Sequence, residues 1–245
     1  MADLDRSRHL TFYSRFRGTS GILSPDGNLD NPESGSFERL PTNWIVDWRR
    51  LFNFAEANHG DLVPEDGKVN IAKKVDTLLV DPLKDLPLGS FGGRGTNPPP
   101  QERNLAFRNL TRALMVELAT GQQMVEHIRK HVPITPLTPD QILNGNGGAV
   151  LEGLTQAHKD VVTQHTPLWF YILREAELNN GHLTGVGGRI VAEVFHRAME
   201  ASGTSIVRDL TWRPTLGPDA NTFRMVELLL FAFEGKEELL NPLGQ

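Results

Sequence analysis

Apolar residues recur at helical spacing along most of the chain, and strict apolar–polar alternation of the kind a half-buried strand requires is sparse. After Thr42, an N-cap residue, Trp44, Ile45, Trp48, Leu51 and Phe52 are spaced for one helical face. Lys68 to Val80 reads as a short amphipathic element stopped by Pro82. A stronger helix is predicted from about Gln101 to Leu118, where Phe107, Leu110, Leu114 and Leu118 form an apolar stripe. Another covers roughly Gly121 to His131. Thr138-Pro139-Asp140-Gln141 is a capping box with proline at the first helical position, opening a short helix that stops before Gly145, Gly147 and Gly148. Thr166-Pro167 is expected to cap a helix from Leu168 to Leu178. Gly187 and Gly188 are expected to precede a helix from Arg189 to about Ala201, which Gly203 ends. A last helix is predicted from Thr222 to Phe233. No internal repeat is present, and the predicted class is mainly α.

The first forty residues break this pattern, being rich in Gly, Ser, Pro, Asp and Asn around one apolar-aromatic patch from Leu10 to Phe16. Residues 1–40 are therefore expected to form a long irregular arm, and residues 41–245 a helical body. Such an arm is unusual inside a compact domain and suggests a piece that wraps something else. Leu86 to Pro100 is a second breaker-rich stretch, ending in consecutive prolines.

Composition narrows the classes. At 245 residues, with 39% hydrophobic and 22% charged, the chain is an ordinary globular sequence able to bury a core. A net charge of -5 and the lack of a basic stripe argue against nucleic acid, whose phosphates are bound by Lys and Arg. With no cysteine, disulfides, zinc–thiolate sites, iron–sulfur clusters and thiol nucleophiles are excluded. No apolar run approaches the ~18 residues of a membrane span. The N-terminus lacks an apolar core and does not read as a signal peptide, which leaves the compartment open.

Common enzyme motifs are absent: no Walker loop, G-x-S-x-G elbow or H-E-x-x-H occurs. Gly185-Val186-Gly187-Gly188 has the makings of a phosphate cradle, but no strand precedes it, and a closely packed helix start explains it better. His127 and His131, at i and i+4, have metal-holding spacing, although Arg129 and Lys130 between them favour a solvated basic helix end. The Trp44/Trp48 and Trp169/Phe170 clusters suit ordinary core or a cofactor wall. Asn109 and Arg112 fall on adjacent parts of one helix face, where an amide and a guanidinium together suit an imidazole or anionic partner. From spacing alone, an exposed polar pair is the better reading.

Several segments, taken in order, carry a resemblance. These are Leu40-Pro41-Thr42-Asn43-Trp44-Ile45-Val46-Asp47-Trp48-Arg49-Arg50, Lys73 to Thr77, and Asp81-Pro82-Leu83 through Leu86-Pro87. Arg108-Asn109-Leu110-Thr111-Arg112 with Thr120-Gly121-Gln122 follows, then Thr166 to Ala176, Leu183 to Phe195, and Trp212 to Leu216. The set, spread over about Leu10 to Phe233, resembles the C-terminal helical part of bacterial members of the animal-type haem peroxidase family.

That resemblance implies an incomplete multi-helix haem-peroxidase-like domain, a haem cofactor and peroxide-dependent oxidation of a small organic or halide donor. By motif, Asn109 is similar to the asparagine that contacts the proximal histidine, and Arg112 to the arginine that pairs with a haem propionate. The family's distal histidine, distal arginine, calcium loop and proximal G-H-S or P-H-S motif have no match here. The axial ligand is thus unidentified. His9, the only histidine before Trp44, sits in a segment that looks downstream of the proximal motif. Activity is therefore expected to need an N-terminal peroxidase half or partner chain. The alternatives are a non-catalytic helical interaction module that has lost the haem site and, with little support, a metal-dependent hydrolase using His127 and His131.

Overall fold

Short polar side chains set where several helices begin. Asn104 accepts a hydrogen bond from the Phe107 N–H and opens helix α1, Leu105–Met115. Thr120 and Thr138 each form a reciprocal capping box, with Gln123 and Gln141, opening α2 (Gly121–Arg129) and α3 (Pro139–Asn144). Thr155 caps α4, Gln156–Gln164. Helices α5 (Leu168–Leu178), α6 (Gly185–Ala201) and α7 (Met225–Ala232) complete the series. Short 3₁₀ turns lie at Trp48–Arg50, Phe54–Ala57, Gly60–Leu62, Pro100–Arg103 and Glu237–Leu240. The fold is mainly α as expected, and Thr120 and Pro167 form an isolated antiparallel bridge among the described residues.

The structure is a computed structural model that describes residues 46–67, 69–70, 72–86, 99–217 and 220–241. The predicted arm, His9, Thr42, Trp44, Ile45 and most of the Leu86–Pro100 stretch lie outside the described residues.

The chain divides into two compact units. In the first, which includes residues 74–198, Val125, Ile128, Leu168, Tyr171 and Val186 make the core where α2, α5 and the start of α6 meet. Gly121 is required there: a Cβ on it would lie 2.1 Å from Cγ of Tyr171. Gln122 fastens the same joint, donating to the Thr163 carbonyl (2.7 Å) and Thr166 Oγ1 (2.8 Å) and accepting from the Thr166 N–H (2.9 Å). The second unit pairs residues 34–73 with 199–245. Its core is Phe54, Ala57, Leu62, Val226, Leu229 and Leu240, with Trp48 and Phe52 packed against it.

Three expectations need correcting. Residues 72–80 form no helix; one helical turn begins only at Asp81–Lys84, and Pro82 lies in its first turn, where a missing N–H costs nothing. The helix expected around Trp48 is, over its described part, the 3₁₀ turn Trp48–Arg50, which Asp47 caps by accepting from the Arg49 N–H. Gly187 and Gly188 do not precede α6 but belong to its first turns, where a Cβ on Gly187 would come within 2.5 Å of Ile172. Helix α4, which the apolar pattern does not announce, is an addition.

Candidate functional site

Helix α1 carries both residues singled out by motif. Asn109 and Arg112, three residues apart, project about 60° from one another on the same side of the helix. Asn109 is half-buried with Leu105, Ala106 and Ala113, on the side where α1 packs against α5. Arg112 is exposed. The predicted apolar stripe lies on the other side, and it is open to solvent. Leu114 is 80% exposed, Met115 71% and Phe107 46%. Amphipathic α1 thus turns its polar-flanked side inward and its apolar side outward.

Two cavities in the same unit are lined by other residues. One, of about 350 Å³, lies between α2 and α6: Met124, Ile128 and Ile190 give it an apolar base, and His127, His131, Arg189 and Glu193 a polar edge. The His127 and His131 rings meet edge-on with centroids 6.0 Å apart. Both histidines are exposed, Arg189 is paired with Glu193, and no set of three metal-ligating side chains is found among the described residues.

The second cavity, about 320 Å³, has the buried carboxyl of Glu175 in its wall beside Thr184 and Gly185. Glu175 accepts from the N–H groups of Val186 (2.9 Å) and Gly187 (3.2 Å), filling the anion position at the start of α6. Burial pushes its carboxyl above the usual range, against the lowering effect of those two N–H groups. The Gly185–Gly188 segment is accordingly a helix start with its own internal anion. A Cβ on Gly185, whose φ is +50°, would stand 2.3 Å from the Glu175 carboxylate.

A buried ionic network flanks Glu175 on α5. Arg174, fully buried, pairs with Glu177 at 2.7 Å, donates to the Ala149 carbonyl and lies 5.1 Å over the Phe170 ring. Glu177 also accepts from the Asn146 N–H (2.6 Å) and the Thr77 hydroxyl. Burial alone would raise the Glu177 carboxyl, but these donors and the Arg174 charge outweigh it and hold the group below its usual range. The network ties the loop around Gly145–Ala149 and the bend at Thr77 to α5. Nε of Arg174 is buried without a partner.

Trp48, Trp169 and Phe170 line neither cavity. Trp48 stacks on Phe52 at 6.3 Å in the second unit's core, and Phe170 lies under Arg174. Sequence reasoning singled out Asn109, Arg112, His127 and His131 but missed Glu175, Glu177 and Arg174. Their roles depend on groups distant in sequence, and no local motif marks them. No protein-family model, curated protein or solved structure matches the chain.

Proposed function

We propose that this chain is the supporting helical part of a haem peroxidase, in which Arg112 binds a haem propionate and Asn109 orients the imidazole of the axial ligand. The observation that carries the proposal is the placement of Asn109 and Arg112 side by side on α1, within a motif set that keeps the family's order. The donor chemistry fits. A half-buried amide can accept from an imidazole N–H and fix its tautomer, and an exposed guanidinium can meet a carboxylate bidentately. When bound, the haem would supply peroxide-dependent oxidation of a small donor. The axial ligand and the distal base come, on this reading, from an N-terminal peroxidase half or partner chain.

The test is a haemin titration of the full chain with and without a candidate N-terminal half. A shifted Soret band in the joint assembly is expected, and Arg112→Ala should weaken haem binding at least about tenfold by removing a charge-assisted pair. Asn109→Leu should leave binding nearly intact but change the spectrum and the pH profile of peroxide turnover. An assembly that leaves haemin unshifted, or one indifferent to both substitutions, overturns the reading. The exposed apolar side of α1 favours a second reading, a helical interaction module without chemistry.

A further inference from the structure

We infer that the cavity walled by Glu175 is a binding site for a small organic molecule ending in a primary ammonium group. At about 320 Å³ it has room for a ring or a short chain with one polar end. Its lining is divided by character. Pro133, Ile134 and Leu137, from the connection between α2 and α3, give an apolar wall, and Ile134 and Leu137 also pack against the core of this unit. Thr135, Thr184 and Glu175 bring oxygen acceptors, and among the described residues Glu175 is the charged one in the lining.

The charge of Glu175 lacks a cation. The residue is 6% exposed, and its hydrogen bonds come from the backbone N–H groups of Val186 and Gly187. Oε2 accepts from both, at 2.9 and 3.2 Å, whereas Oε1 has a 3.2 Å contact with the Val186 N–H. A carboxylate offers about four acceptor positions, so Oε1 has room for a stronger donor. A helix start supplies only about half a positive charge. Burial accordingly outweighs the two N–H groups and raises the carboxyl.

A primary ammonium supplies the missing positive charge. Its three N–H donors are matched in number by Glu175 and the hydroxyls of Thr135 and Thr184. A quaternary ammonium has no such donors and is held by aromatic faces, and among the described residues no aromatic ring lines this cavity. An anionic ligand would meet the Glu175 carboxylate. The haem reading uses neither this cavity nor Glu175.

The probe is benzylammonium, titrated into the full chain without haemin at about pH 8, where a primary amine is protonated. Ionic strength is held constant, so that screening does not vary. Benzyl alcohol has a similar shape without the charge, and benzyltrimethylammonium keeps the charge without the N–H donors. Amide NMR should show benzylammonium moving the Val186 and Gly187 signals and binding at least about tenfold more tightly than either comparator. Glu175→Gln keeps the size and one acceptor oxygen, and should abolish the preference. Thr135→Trp, at an exposed position in the lining, should fill the cavity and weaken benzylammonium about tenfold or more with Glu175 intact.

Equal binding of the three compounds, a preference that survives Glu175→Gln, or binding indifferent to Thr135→Trp overturns the inference. If Glu175→Gln does not fold, the two comparators and Thr135→Trp decide. Displacement of benzylammonium by potassium ions more than by the same concentration of sodium ions makes the occupant an alkali-metal ion and overturns it as well. The haem reading is judged on Asn109 and Arg112 in the joint assembly, so either proposal can fail while the other holds.

Discussion

At the scale of single residues, Glu175 does for α6 what an N-cap side chain does for α2 and α3, but from 11 residues upstream of Val186. Its carboxyl is raised in the folded state, so its proton is held more tightly there than in the unfolded chain. The resulting stability is fully present below the unfolded value and is lost as pH rises through the folded one. Glu175→Gln should therefore flatten the pH dependence of amide protection at Val186 and Gly187, with hydrogen exchange across the acid-to-neutral range as the measurement. A variant with the original slope would show that Glu175 does not titrate as described. Glu177 has the opposite sign: its stabilisation is present above the unfolded value and is lost as pH falls through the depressed folded one. Removing its buried partner with Arg174→Met leaves an uncompensated carboxylate and should cost about 3–5 kcal/mol in urea unfolding. Combining Arg174→Met with Glu177→Leu should recover much of that. None of this was legible locally. A glutamate that caps a helix from the previous one looks, in the sequence, like any glutamate on a helix.

At the scale of elements, local chemistry was informative where a helix start is decided within four residues. The Thr138 capping box and the Leu168–Leu178 helix occur as expected, although Pro167 offers no side-chain cap to α5. Thr138→Ala should cost about 1 kcal/mol and loosen α3 in hydrogen exchange while sparing α5. Gly145 ends α3 at φ 61° and ψ -146°, a region essentially reserved for glycine, with the Arg174 guanidinium against it. Gly145→Ala should cost more than the Thr138 change, about 1–3 kcal/mol from the backbone alone, read as a lower urea midpoint. Periodicity also located α1 but carried no information on which of its sides is covered. The Phe107–Leu110–Leu114 stripe has ordinary core spacing, yet α1 packs through Leu105, Ala106, Asn109 and Ala113. Residues 72–80 erred the other way: amphipathic spacing was present, but no helix forms there and Thr77 engages Glu177 from a bend.

At the scale of the whole molecule, each unit has its own core, and exposed apolar side chains occur in both: on α1, on α6 at Val194 and Phe195, and over residues 206–231, where Leu210 is 84% and Phe231 60% exposed. Trp169 is half-buried and Trp48 packs against the core of its unit, so neither belongs to that exposed surface. A hydrophobic dye should bind the folded protein with strong fluorescence, and Leu114→Glu should reduce that signal with helical circular dichroism unchanged. Dye binding insensitive to this substitution would place the dominant apolar surface elsewhere. Spacing and capping along the chain were enough to show that the protein is mainly helical, where α2, α3 and α5 begin, and that Asn109 and Arg112 share one side of a helix. These features depend on spacing and on hydrogen bonds within a turn or two. Packing in three dimensions is what sets which side of α1 faces inward, puts the Glu175 anion at α6, and lets Arg174 and Glu177 clamp the Gly145–Ala149 loop. Those outcomes depend on which distant groups come to share a buried space, and residue spacing along the chain carries no record of that.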